Sequence, residues 1–275
     1  MSHSAGSSDT REARLAAMYG EEDLGSFSLF SGDFINFGFW RGAPPDPERP
    51  ITVEERTASQ QDMYREVVGR LGAGPGDRLV EVGCGIGVGA ALVMAEFGPA
   101  SVTGVDLSPA QLERARRANA EALAGSGGRL AYRQGSAFAL PEPDGGADGL
   151  YSVEAAQHFG ELSGFAREAH RVLRPGGRLA VATFFTPGEH GADRLAELLE
   201  TVGNGVDVVL PVAGFAADLE AAGFAGVGVE PIGGHVWRWF DAWIGQTEFA
   251  VSWGRNWLPA YEDGLIDYYI VTATA

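Results

Sequence analysis

Residues 79–89 read Leu-Val-Glu-Val-Gly-Cys-Gly-Ile-Gly-Val-Gly. A short apolar run carrying one acid passes directly into a glycine-rich turn, and a small-residue, apolar stretch follows over 90–97. That order spells a buried strand, a tight loop and a helix start. Glycine has no Cβ, so the backbone N–H groups of such a loop can come close to a ligand. Several nucleotide-binding folds use a loop of this kind. It therefore restricts the architecture before it chooses the ligand.

The rest of the chain extends the same grammar. Strands are predicted over 100–106, 129–134, 148–153, 178–185 and 226–232, with a last one over 265–274. Between them lie helical patterns. The first, over 52–71, has Met63, Val67, Val68 and Leu71 on one face. Another starts at Ser108-Pro109-Ala110-Gln111, a capping box with proline at the first helical position, and runs to about residue 123. Two more cover 163–173 and 212–222. Residues 174–177, Arg-Pro-Gly-Gly, read as a sharp turn. Strands alternating with helices imply right-handed crossovers and a mostly parallel, doubly wound α/β sheet of seven strands, covered on both faces.

Three segments stand outside this alternation. Residues 1–10 are small and polar and are expected to be disordered. Residues 11–70 form an N-terminal arm and lid. They include a short helix over 11–19, six aromatics between 26 and 40, a Pro-rich loop over 42–50 and the helix over 52–71. Residues 71–275 form the main domain. An insertion over 233–264 carries five of the six tryptophans and reads as a cap.

A net charge of −17 argues against nucleic acid or an anionic membrane as partner, because phosphate binding needs clustered positive charge. All 20 basic residues are arginine, which excludes a lysine Schiff base. The single cysteine, Cys84, excludes an internal disulfide and a multi-cysteine metal site, and no metal is expected. No signal-peptide pattern and no membrane-length apolar run occur. The chain reads as cytoplasmic, and a homodimer is compatible with it.

Spacing narrows the ligand of the loop without choosing it. A dinucleotide fingerprint started at Gly83 meets Val88 in its third position. Started at Gly85 it meets Ala90, a tolerated variant. A phosphate-binding P-loop needs a lysine. Glu81-Val-Gly83-Cys-Gly85-Ile-Gly87, Asp106, the turn Gly135-Ser136-Ala137-Phe138 and Leu173-Arg-Pro-Gly-Gly occur in the order seen in class I S-adenosylmethionine-dependent methyltransferases. The chain resembles that family strongly over 71–185. Residues 33–40 and 151–158 resemble its small-molecule group, which includes tocopherol, phthiotriol and glycosylated-antibiotic methyltransferases. That turn usually carries Asp where this chain has Ser136. Some relatives carry an acid at the end of strand five, where this chain has Thr183.

The resemblance implies S-adenosyl-L-methionine as cofactor, bound by Glu81, Gly83, Gly85, Gly87, Asp106, Leu107, Gln111, Ser136, Ala137 and Phe138. Asp106 would accept hydrogen bonds from the ribose hydroxyls, with Leu107 beside the adenine. His158 follows strand four on the cofactor side and is the candidate base. A helix-start histidine bonded to backbone is the equally weighted alternative. Glu154 would contact the cofactor or orient that base. Trp40, His235, Trp237, Trp243 and Trp257 are the candidate acceptor-pocket residues. The bland reading of the tryptophans is a cap with its own small core. The expected activity is methyl transfer to a small, fairly apolar metabolite, with O-methylation in natural-product biosynthesis first. The alternatives are C-methylation of an isoprenoid or quinol, N-methylation, or a cofactor-binding subunit without activity. A nicotinamide-dependent reductase is disfavoured by the glycine spacing and by Glu81.

Overall fold

The computed structural model describes residues 14–15, 18–19, 27–41 and 49–275. The tail over 1–10, most of the helix expected over 11–19 and most of the loop over 42–50 therefore lie outside the described residues.

The strands are β1 (Arg78–Val82), β2 (Ser101–Asp106), β3 (Leu130–Gln134), β4 (Ala147–Val153), β5 (Leu173–Phe185), β6 (Ala225–Pro231) and β7 (Asp267–Thr274). They form one sheet in the order β3-β2-β1-β4-β5-β7-β6. Neighbours from β3 to β5 pair in parallel, whereas β7 runs antiparallel between β5 and β6. This is the expected seven-stranded, mostly parallel sheet. Strand order reverses between β1 and β4, and open α/β sheets bind ligands at such a switch, beyond the carboxyl ends of the strands.

Alternation along β1 sorts its residues between two cores. Leu79 faces α1 (Val53–Leu71) and α2 (Val88–Phe97), on the side that also takes the arm and the cap. Val80 and Val82 face the other core, with α5 (Leu162–Val172) and α8 (Val212–Ala221). Glu81 shares the face of Leu79, so its carboxyl points at α1.

Helix α1 begins at a complete capping box, Thr52 with Glu55, and ends at Gly72 in the left-handed conformation. Its buried face changes character along its length. Met63, Val67, Val68 and Leu71 pack on the sheet, whereas Arg56, Ser59 and Gln60 are turned to the arm.

Three local expectations are revised, and one unassigned stretch is filled. The turn at 174–177 is built into β5, where Leu173 already pairs with Ala147 across a bulge. The helix expected over 108–123 breaks at Asn119 into α3 (Pro109–Ala118) and α4 (Ala120–Gly125), because the Asn119 amide donates to the Ile86 carbonyl at 2.9 Å. The box at Ser108 is only half formed. Ser108 accepts from the Gln111 N–H, but the Gln111 side chain goes to the arm instead. Residues 186–211, unassigned from the sequence, hold α6 (Ala192–Leu198) and α7 (Glu200–Gly203). In the cap, α9 (Trp237–Ile244) and α10 (Trp257–Glu262) precede β7.

Candidate active site

The glycine loop is held from three sides. The Gly83 and Cys84 N–H groups donate to the Val105 carbonyl at 2.8 and 3.0 Å. The Tyr132 hydroxyl donates to the Gly87 carbonyl at 2.6 Å. Asp106 closes the third side. One oxygen accepts from Gly85 N–H and the other from Ser108 N–H, both at 2.9 Å. Burial raises the Asp106 carboxyl, and these N–H groups work against the rise. Each oxygen keeps a second lone pair for a ligand. Gly83 has φ +78, and a Cβ there would collide with the Ala155 side chain.

Glu81 anchors the loop from below. It is fully buried, with Oε1 accepting from the Tyr64 hydroxyl at 3.0 Å and Oε2 from the Tyr151 hydroxyl at 3.4 Å. Burial pushes the carboxyl up to about 8. The Tyr64 ring also fills the space that any side chain at Gly89 would need. Of the two roles expected for Glu81, this geometry fits loop ordering, with one bond on each oxygen running to a tyrosine beneath the loop.

The residues around the loop fit S-adenosylmethionine. A Cβ added at Gly85 would meet nothing within 4 Å, so its face is open to a ligand. Leu107 and Phe138 are 59% and 45% exposed, two large apolar side chains left bare at the strand ends. They offer apolar faces to a flat ring, with Ala137 partly buried beneath. Ser136 Oγ accepts from the Phe138 N–H at 3.2 Å and shapes that turn. Gln111 Oε1 is buried and has no hydrogen-bond partner among the described residues, so it could accept from a ligand hydroxyl.

A second group lies at the end of β4. His158 sits in a short 3-10 turn, Ala156–His158. Its Nε2 is 2.8 Å from the Tyr19 hydroxyl, and its Nδ1 is 3.2 Å from Asp207 Oδ1 and 3.3 Å from the Val206 carbonyl. Burial first, then the Asp207, Glu154 and Asp106 carboxylates, push the Tyr19 hydroxyl well up, so it keeps its proton. It therefore donates to Nε2, and the Nδ1–H points at Asp207; this tautomer is assigned from the bonding pattern. The Tyr19 carbonyl accepts from Gln111 Nε2 at 2.8 Å and Arg114 Nη1 at 2.9 Å, both on α3. Tyr19 thus bridges the cleft from the Asp106 side to His158. Tyr19 and Asp207 were not anticipated. Asp207 is a lone acid between valines, and Tyr19 lies 139 residues from its partner.

Glu154 follows β4 with φ +47, a conformation uncommon outside glycine. Its Oε1 accepts from the Phe37 N–H at 2.6 Å and the Tyr268 hydroxyl at 2.9 Å. Oε2 accepts from no described residue. Burial pushes this carboxyl up to about 8 as well. Thr183, where some relatives carry an acid, is buried and donates to Gln157 Oε1 at 2.6 Å.

The aromatic residues expected around the acceptor are placed differently. Trp237 and Trp257 are buried and stack 5.3 Å apart with an interplanar angle of 9°. Phe37 from the arm fits against both. Trp40 and Trp243 are buried in a separate cluster with Ile51. All four tryptophans are thus buried in the packing of arm and cap, Trp237 and Trp257 against each other and Trp40 and Trp243 with Ile51. His235 is also placed differently. It is exposed, stacks on Phe39 at 4.6 Å and has Nδ1 3.3 Å from the Trp40 carbonyl, so it stitches the cap to the arm.

Sheet order, glycine loop and ribose-side acid together define a class I methyltransferase. Residues 80–181 match the family model described as a methyltransferase domain. The chain is 33% identical over 209 residues to an O-methyltransferase of Pyrenophora dematioidea, covering 69% of this chain and 74% of that protein. It is 34% identical to the 27-O-demethylrifamycin SV methyltransferase of Amycolatopsis mediterranei, covering 70% of this chain and 66% of that protein's length. The geranyl diphosphate C-methyltransferase of Streptomyces coelicolor superposes with a TM-score of 0.79 at 18% identity, covering 96% of this chain and 97% of that one. The chain belongs to the S-adenosylmethionine-dependent methyltransferases that act on small molecules. No described helix is long and apolar enough to cross a membrane.

Proposed function

We propose that this chain O-methylates a hydroxyl group of a small, largely apolar natural product. The observation that carries the reading is the line Tyr19–His158–Asp207 at the edge of the cofactor cleft. S-adenosylmethionine, when bound, supplies an electrophilic methyl group. Asp106, Gln111 and the loop from Gly83 to Gly87 would hold it, with Leu107 and Phe138 against its adenine. An acceptor hydroxyl that takes the place of the Tyr19 hydroxyl meets the lone pair of His158 Nε2. His158 removes the proton as the nucleophile forms, and Asp207 stabilises the imidazolium and fixes its tautomer. The arm and cap exclude water, which strengthens these electrostatic effects. The O-methyltransferase names of the two relatives support the same atom choice.

Carbon methylation is the second reading. It is favoured by Glu154, whose Oε1 is held by the Phe37 N–H and the Tyr268 hydroxyl while Oε2 accepts from no described residue, leaving an oxygen to stabilise a cationic carbon or take its proton. The test is incubation with S-adenosylmethionine and a panel of ansamycin and macrolide alcohols, reading mass gain and the methylated atom by NMR. His158→Ala should lower turnover by about 100-fold or more on a hydroxyl acceptor. Affinity for S-adenosylhomocysteine, read by calorimetry, should persist. Undiminished turnover would remove His158 as the base, and a product methylated on carbon would replace the first reading by the second.

A further inference from the structure

Arg56, fully buried on α1, is a cation with no carboxylate at ion-pair distance among the described residues. All five of its N–H donors are used on the arm and on α1 itself. Nε and Nη2 donate to the Leu29 carbonyl at 3.2 and 3.1 Å. Nη1 donates to the Phe37 carbonyl at 2.9 Å and to Ser59 Oγ at 3.4 Å. Nη2 also donates to the Asn36 carbonyl at 2.7 Å. The guanidinium lies 5.4 Å from the centre of the Phe240 ring. Isolated charges are rarely left inside a protein, so its counter-charge must lie further off.

The Asn36 carbonyl and the Phe37 N–H belong to one peptide group. The carbonyl end receives Arg56, and the N–H end donates to Glu154 Oε1 at 2.6 Å. The peptide dipole is therefore aligned between a cation and a carboxyl, which strengthens both bonds. Gln60 Nε2 adds a second donor to the same carbonyl at 3.2 Å. We propose that Arg56 is a positioning residue for Glu154, acting through the single peptide group between Asn36 and Phe37. The seating of residues 36 and 37 and the charge of Glu154 are therefore set together.

The other groups facing Glu154 are Tyr64 from α1, Tyr268 from β7, Tyr19 from the arm and Asp207 from the segment after α7. Asp207 opposes ionisation of Glu154, and Arg56 is the cation that favours it. The inference rests on the reading of Glu154 as a group of the site, but its test needs no methyl transfer.

The test is NMR of the full chain labelled with carbon-13 glutamate and nitrogen-15, followed from pH 5 to 9. Loss of one carboxyl signal in Glu154→Gln assigns that residue. In Arg56→Met its midpoint should rise by at least one pH unit, and Arg56→Lys should restore part of the shift. In the unsubstituted protein the Phe37 amide should titrate with the Glu154 midpoint and become flat in Glu154→Gln. A folded Arg56→Met with an unchanged midpoint would overturn the proposal. A Phe37 amide flat across the range in the unsubstituted protein would do so too, and that measurement stands even if the Arg56 variants do not fold.

Discussion

Glu81, fully buried, and Glu154, partly buried, lie at the ends of neighbouring parallel strands, and desolvation pushes both carboxyls up to about 8. Their surroundings differ. Glu81 is closed, with both oxygens taken by tyrosine hydroxyls from α1 and β4. Glu154 is open on one side. One oxygen is held by the arm and β7, the other accepts from no described residue, and a cation acts on it through a peptide. A raised carboxyl alone does not identify a chemical group. What separates the two is the Glu154 oxygen that accepts from no described residue, and the arm residue Phe37 on which its other oxygen depends.

The sharpest break between them lies in turnover. Glu154→Gln should lower the methyl-transfer rate by about 100-fold, the range of a lost acid–base or charge-orienting group. Glu81→Gln should act on the KM for S-adenosylmethionine and on Tm, with less than a tenfold loss in kcat. Equal losses in kcat would erase the distinction. The pH dependence of stability comes next. Each carboxyl ordinarily titrates near 4.5 and keeps its proton to about 8 in the folded chain. The folded state then binds more protons than the unfolded state between those values. The stability from each group is full below 4.5 and is lost as pH rises toward 8, by up to ~1.4 kcal/mol per pH unit for one group. Denaturant melts at pH 5, 6.5 and 8 should therefore show a flatter profile in either glutamine variant. The smallest effect belongs to Tyr64→Phe, which leaves a buried acceptor of Glu81 unpaired. It should cost roughly 1–3 kcal/mol by urea unfolding, with turnover at saturating cofactor little changed. A neutral substitution there would mean that Glu81 is held by Tyr151 alone.

The cofactor side of the site was legible because its signals are local. A strand-to-glycine transition, an acid at the next strand end and a turn at the third pointed to Gly83, Gly85, Asp106 and Phe138, and Gly85 and Asp106 do meet. The acceptor side was not. Tryptophan density suggested a pocket wall, yet Trp237 and Trp257 satisfy each other's faces, as large aromatic rings do when a partner is near. Spacing cannot say which partner a ring finds. Asp207 carries no motif, and Arg56 reads as the polar start of an amphipathic helix until the arm is laid on it.

By itself, the sequence determined the alternation of strands and helices, the cofactor loop and the family, because these depend on periods and turns within a few residues of one another. Only the tertiary structure decided which carboxyl has both oxygens bonded and which has one, which histidine has a carboxylate behind it, and which arginine lies buried against the arm. Those depend on burial and on contacts across 17 to 139 residues of chain, where a bond of 2.6 to 3.4 Å is fixed by packing rather than by sequence order.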